Sequence, residues 1–206
     1  MGRRRLLLFA ALATLLVPVA ARADGDPASD YLLGQQTFIP PDAGVPTAYA
    51  DQLNATVREA KARGYTIRVA LIATRYDMGA VTILYEKPKQ YARFLGQELA
   101  FVYKGRLLVV MPTGLAVSRG GKAVPAEQRV ADALGAPGGG RALAAAATRA
   151  VVRLAARSGV VVPAAPLASS GRGSSTNRDR TIIAAAAVAA ALVAAGFVVL
   201  RRRPRR

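Results

Sequence analysis

Residues 181–206 read TIIAAAAVAAALVAAGFVVL and then RRRPRR, twenty uncharged residues ahead of a block of arginine. At about 1.5 Å of rise per residue, a helix from Thr181 to Leu200 spans roughly 30 Å, the hydrocarbon thickness of a bilayer. Nine of the twenty are strongly apolar: Ile182, Ile183, Val188, Leu192, Val193, Phe197, Val198, Val199 and Leu200. At about −0.3 to −0.6 kcal/mol each, they favour insertion by about 3 to 5 kcal/mol at most, with alanine as near-neutral filler. The stretch 181–200 therefore reads as a transmembrane helix. Arg201, Arg202, Arg203, Arg205 and Arg206 form a basic tail (201–206) that the positive-inside rule keeps in the cytoplasm. A buried, Ala-rich core helix is the competing reading, and the arginine block argues against it.

The N-terminus agrees with that topology. Arg3, Arg4 and Arg5 precede an apolar run from Leu6 to Val19, and Ala21-Arg22-Ala23 supplies small residues for cleavage. Residues 1–23 read as a secretory signal peptide, with a mature start near Asp24. Topology is the same if the signal is retained: both ends in the cytoplasm, the middle outside. The expected location is the cell membrane of a bacterium. The Arg-rich, Ala-rich composition suggests a GC-rich genome.

The net charge of +17 suggests nucleic acid, but its distribution does not. The two topogenic ends hold nine arginines, and the linker 164–180 holds three more. Residues 24–163 carry 17 Lys+Arg and 11 Asp+Glu, a net +6 that is ordinary for a globular domain. No nucleic-acid partner is expected for an extracytoplasmic domain of this charge. Cysteine and histidine are both absent, which excludes disulfides, thiol nucleophiles and imidazole bases. A domain of about 140 residues is long enough to be held by one apolar core.

Within residues 24–163, Tyr31 to Ile39 reads as an extended segment or edge strand. Pro46 opens a helix over 46–63, with Tyr49, Leu53, Val57 and Ala60 on one face and Gly64 as its C-cap. TIRVALIA (66–73) and RLLVVM (106–111) are apolar on both faces, the pattern of central strands covered on both sides. A helical region over 79–99 is broken at Lys87-Pro88. Pro112-Thr113-Gly114 turns the chain from 106–111 into 115–118 as a hairpin. Helices follow over 125–134 and 141–157, then a short strand at 160–162. Residues 164–180 are small, polar and proline-punctuated, a flexible linker. The expected fold is α/β: a three-layer-like domain with a small mixed sheet flanked by helices, followed by the transmembrane helix.

This order resembles the TPM-domain family of thylakoid lumens and of the outer face of bacterial membranes. TIRVALIA, the segment Tyr91-Ala92-Arg93-Phe94-Leu95-Gly96, and KGRLLVVMPTGLAV carry the resemblance over about residues 30–160. It implies a role in maintaining membrane complexes and, for some members, phosphatase activity or calcium binding. The chain departs from the family at Asp30-Tyr31-Leu32-Leu33-Gly34, which is only loosely similar to its opening motif. It departs again at Ser118-Arg119-Gly120-Gly121-Lys122, which lacks the usual acid.

Asp24, Asp26 and Asp30 have a spacing that could offer oxygen ligands to calcium. No glycine-centred loop or closing glutamate follows, so a frayed, solvated N-terminus is the favoured reading. Arg119-Gly120-Gly121-Lys122 could cradle an anion but lacks the Walker pattern, and a hairpin exit turn is the simpler reading. Gly138-Gly139-Gly140-Arg141 opens a helix and reads as a flexible loop. Arg149, Arg153 and Arg157 line one helix face that could meet anionic lipid or an envelope polymer; a solvated face is the simpler reading. Tyr76, Tyr85, Tyr91, Phe94, Phe101 and Tyr103, interleaved with Lys87, Lys89 and Arg93, divide between core and a partner surface. Ala187, Ala191 and Ala195 would permit close packing in the span.

No motif names a reaction, and no cofactor is expected. The chain reads as a bacterial single-pass membrane protein whose extracytoplasmic domain binds or scaffolds another envelope protein without catalysis. The alternatives are the metal-dependent phosphatase or hydrolase that the resemblance implies, and a binder of anionic lipid or envelope polymer.

Overall fold

The computed structural model describes residues 25–167. Its elements run α1 (Pro27–Gly34), β1 (Thr37–Phe38), α2 (Thr47–Ala62), β2 (Ile67–Leu71), a 3-10 segment (Arg75–Leu84), α3 (Pro88–Glu98), a 3-10 turn (Leu99–Phe101), β3 (Arg106–Met111), β4 (Gly114–Arg119), β5 (Lys122–Ala123), α4 (Pro125–Asp132) and α5 (Arg141–Arg157). The expected signal peptide, Asp24, the span 181–200, the basic tail and linker residues 168–180 lie outside the described residues. Among the described residues, no helix is long and apolar enough to cross a membrane.

The five strands lie in the order β1-β2-β3-β4-β5. β1, β2 and β3 are parallel, and β4 and β5 continue antiparallel. Both expected central strands sit at the centre, and alternation of their side chains feeds two cores. Ile67, Val69, Leu71, Leu108, Val110, Leu115 and Val117 pack beneath α2, α4 and α5. Ala70, Ile72, Leu107, Val109, Met111 and Ala116 pack beneath α1, the 3-10 segment and α3. This is the three-layer arrangement expected of strands that are apolar on both faces. Both clusters and all five strands lie inside residues 25–167, which therefore hold a sheet covered on both faces.

Local chemistry explains the element ends. In α2, Leu53, Val57 and Ala60 face the core. Gly64 takes φ +86° behind it, and Tyr65 N–H reaches the Ala60 carbonyl at 2.8 Å, a Schellman closure that needs the left-handed residue. β5 is only two residues long, and Gln128 of α4 takes over where it stops. Its amide accepts from Val117 N–H at 2.9 Å and donates to the Leu115 carbonyl at 3.1 Å, covering an edge that would otherwise invite pairing.

Three expectations change. Tyr31 to Leu33 lie in a helix, because Asp26-Pro27 supplies an N-cap and a first-turn proline; the edge strand is confined to Thr37–Phe38. The broken helical region begins earlier, at Arg75, as a 3-10 segment kinked at Gly79, and the α-helix starts at Pro88. Residues 160–162 join no strand. They run extended toward α2: Val162 is buried, Gln52 Nε2 donates to the Ala165 carbonyl at 2.6 Å, and Ala165 N–H donates to Thr56 Oγ1 at 3.1 Å.

Candidate functional site

Asp26 is not solvated. It is 5% exposed, caps α1 by accepting from Ala28 N–H at 3.2 Å, and accepts from the Tyr91 hydroxyl with both oxygens at 2.8 and 2.7 Å. Burial pushes its pKa up to about 6, against the lowering effect of the Tyr91 and Ala28 bonds. Asp30 stands exposed in the first turn of α1. Among the described residues, no group of three His, Cys, Asp or Glu side chains converges to hold a metal ion. The solvated-terminus expectation holds at Asp30 and fails at Asp26, which finds a phenol 65 residues away on another helix, a partner that spacing along the chain does not show.

Arg149, Arg153 and Arg157 are all exposed on the outer face of α5, opposite its buried Ala146, Ala147, Ala150, Val151 and Leu154. Arg119-Gly120-Gly121-Lys122 forms the turn joining β4 to β5. Gly120 and Gly121 both have positive φ (52° and 73°), as a two-residue hairpin turn requires. Gly138-Gly139-Gly140 leads into α5, held by Gly138 N–H on the Pro112 carbonyl at 3.1 Å. The six aromatics divide: Tyr91 is buried, Tyr85, Phe94 and Tyr103 are half-buried, and Tyr76 and Phe101 stand in solvent.

A polar recess elsewhere on the domain involves none of these arginines. It is a cleft of about 390 Å³ lined by Tyr31, Gly34, Gln35, Gln36, Thr37, Ile39, Asn54, Arg58 and Lys61. α2 presents Asn54, Arg58 and Lys61 at helical spacing, so one face of the helix forms the basic wall. The start of β1 and the end of α1 form the opposite wall. The Thr37 hydroxyl donates to Asn54 Oδ1, joining the two walls. Among the described residues, neither Arg58 nor Lys61 forms a salt bridge; the nearby Glu59 is bonded to Arg63 at 2.6 Å.

β1 is the edge of the sheet. The Gln36 carbonyl accepts from Val69 N–H at 2.8 Å, so the chain turns Gln36 toward β2. Alternation along a strand then directs the Thr37 N–H and C=O to the open side. The cleft thus combines an open main-chain edge, three side-chain amides and two cations. Part of it is legible in the sequence: Asn54, Arg58 and Lys61 recur at four and three residues on the polar face of an amphipathic helix. That Gln35-Gln36-Thr37 lies opposite them is not, because the two segments meet only in the folded chain.

No family model matches the chain, and neither a curated protein nor a solved structure matches it.

Proposed function

We propose that residues 25–167 are the extracytoplasmic, non-catalytic binding domain of a bacterial single-pass membrane protein, and that the domain scaffolds another envelope protein. In this reading the N-terminal domain lies outside the cell membrane and residues 201–206 lie in the cytoplasm, with 181–200 as the anchor. The sequence ground for this reading is the TPM-domain resemblance over about residues 30–160; the chain adds to that element order a helix at Pro27–Gly34. The metal-dependent phosphatase alternative needs an acidic metal site; of the candidates Asp24, Asp26 and Asp30, Asp26 has its carboxylate oxygens engaged by Tyr91 and Ala28.

The single observation that carries the binding reading is the cleft along β1. Its open strand edge suits an extended segment that adds main-chain hydrogen bonds, and Arg58 and Lys61 suit carboxylates on that segment. The ligand class is an extended acidic peptide of a partner protein. The probe is a fluorescein-labelled decaglutamate peptide titrated into residues 25–167 by fluorescence polarisation. With about 0.5–1 kcal/mol for each partly exposed charge, Arg58→Gln with Lys61→Gln weakens binding about five- to thirtyfold. Equal affinity of the double variant and the parent contradicts the proposal.

A further inference from the structure

The strand ends opposite the 3-10 segment carry an apolar tip set among cations. Phe101 is 96% exposed and Val102 64% exposed, although they closely follow the buried Leu99. An exposed single apolar side chain is unremarkable, but two adjacent ones at a chain reversal present a protruding apolar edge. Arg68 ties this region to the end of α1, where Leu33 is also exposed. Its guanidinium lies 4.2 Å over the Tyr103 ring and donates to the Leu33 carbonyl at 3.4 Å. Tyr103 in turn donates to the Arg106 carbonyl at 2.8 Å.

Cations border this edge on the hairpin side. Arg106, Arg119 and Lys122 stand in cross-strand register on β3, β4 and β5. Gly120 N–H donates to the Gly105 carbonyl at 3.3 Å, so the hairpin turn lies against the loop that carries Lys104. Glu127 neutralises one of these charges, bonding Arg106 at 2.9 Å and reaching Arg119 only at 4.0 Å. Lys104 and Lys122 are exposed and make no salt bridge among the described residues, and Arg119 is exposed with only that distant contact.

We infer that this tip docks on an anionic lipid bilayer, with Phe101 and Val102 entering the interface and Lys104, Arg119 and Lys122 on the headgroups. Charge complementarity selects this occupant. A protein groove would bury the apolar pair against matching apolar surface, whereas this pair projects beside exposed Lys104, Arg119 and Lys122, with Glu98, on the α1 side, the exposed acid that precedes it in the chain. An interfacial anchor combines apolar insertion with attraction to anionic headgroups in the same way. The inference needs neither the cleft nor the anchor to be right, because residues 25–167 alone should show it.

The test is co-sedimentation of residues 25–167 with vesicles of phosphatidylglycerol and phosphatidylcholine, against phosphatidylcholine alone, at low salt. Binding is expected to the anionic vesicles. Phe101→Ser with Val102→Ser lowers the partition coefficient about tenfold or more, as loss of two inserted apolar side chains requires. Lys104→Gln, Arg119→Gln and Lys122→Gln each lower it about fivefold. Tyr76→Ser with Ile83→Ser removes two comparably exposed apolar residues at the opposite strand ends and leaves binding unchanged. Tryptophan is absent from the chain, so Phe101→Trp gives a single fluorescent reporter. Its emission shifts to the blue on binding and is quenched by brominated acyl chains. The inference is overturned by no sedimentation of the parent, by equal loss in the Tyr76/Ile83 variant, or by an indole that brominated lipid does not quench. A blue shift of the reporter on raising protein concentration without lipid also overturns it, because the tip is then a self-association surface.

Discussion

Tyr91 on α3 donates its hydroxyl to both carboxylate oxygens of Asp26, the N-cap of α1, at 2.8 and 2.7 Å. The contact ties the first helix to the layer beneath which the central strands lie. It also places a carboxyl group where its charge is poorly solvated.

That placement gives stability a definite pH dependence. The Asp26 pKa of about 6 in the folded chain lies above its ordinary 3.8 because burial disfavours the carboxylate. Between those values the folded state keeps a proton that the unfolded state has lost, so stability falls as pH rises from about 4 to about 6 and is level above. At about 1.4 kcal/mol per pKa unit the change is about 3 kcal/mol. No histidine complicates this window. Urea unfolding of residues 25–167 across pH 4–7 measures the slope, and Asp26→Asn abolishes its Asp26 component.

Gly96 lies where α3 crosses the hairpin turn. A Cβ there would meet Gly121 N at 2.6 Å, Gly121 Cα at 2.8 Å and Ser118 Oγ at 2.8 Å. Ser118 is buried and donates to the Ala92 carbonyl at 2.6 Å, so it has no room to yield. Gly96→Ala therefore destabilises by about 1–3 kcal/mol despite the better helix propensity of alanine. Gly34→Ala, at the end of α1 with nothing within 4 Å, is neutral or slightly stabilising. Thermal melts of the two variants compare the cases directly.

The segment after α5 is part of the domain's packing. Removing residues 160–167 exposes the surface under Val162 and strips Gln52 and Thr56 of their bonds to Ala165. A loss of about 2–4 kcal/mol is expected from one buried valine and two hydrogen bonds. The urea midpoint of residues 25–159 against 25–167 measures it.

The central strands were legible because Ile67–Leu71 and Arg106–Met111 are apolar on both faces, a pattern that only a covered sheet satisfies. α2 and α5 were legible from their spacing, and the hairpin from Pro112-Thr113-Gly114. α1 is not legible as a helix: eight residues with three adjacent large apolar side chains, Tyr31-Leu32-Leu33, show no clear helical period. The Asp26-Pro27 pair was the available signal for its start. The cleft and the Asp26–Tyr91 contact were hidden for a different reason. Each joins segments far apart in sequence, Gln35–Thr37 with Asn54–Lys61 and Asp26 with Tyr91, and only the packed layers bring them together.

The most direct measurement is an NMR titration of isotopically labelled residues 25–167 with the decaglutamate peptide. The binding reading predicts saturable shifts centred on Gln36, Thr37, Asn54, Arg58 and Lys61, reduced in the Arg58→Gln, Lys61→Gln variant. Shifts centred instead on Arg149, Arg153 and Arg157, or none at saturating peptide, would contradict it.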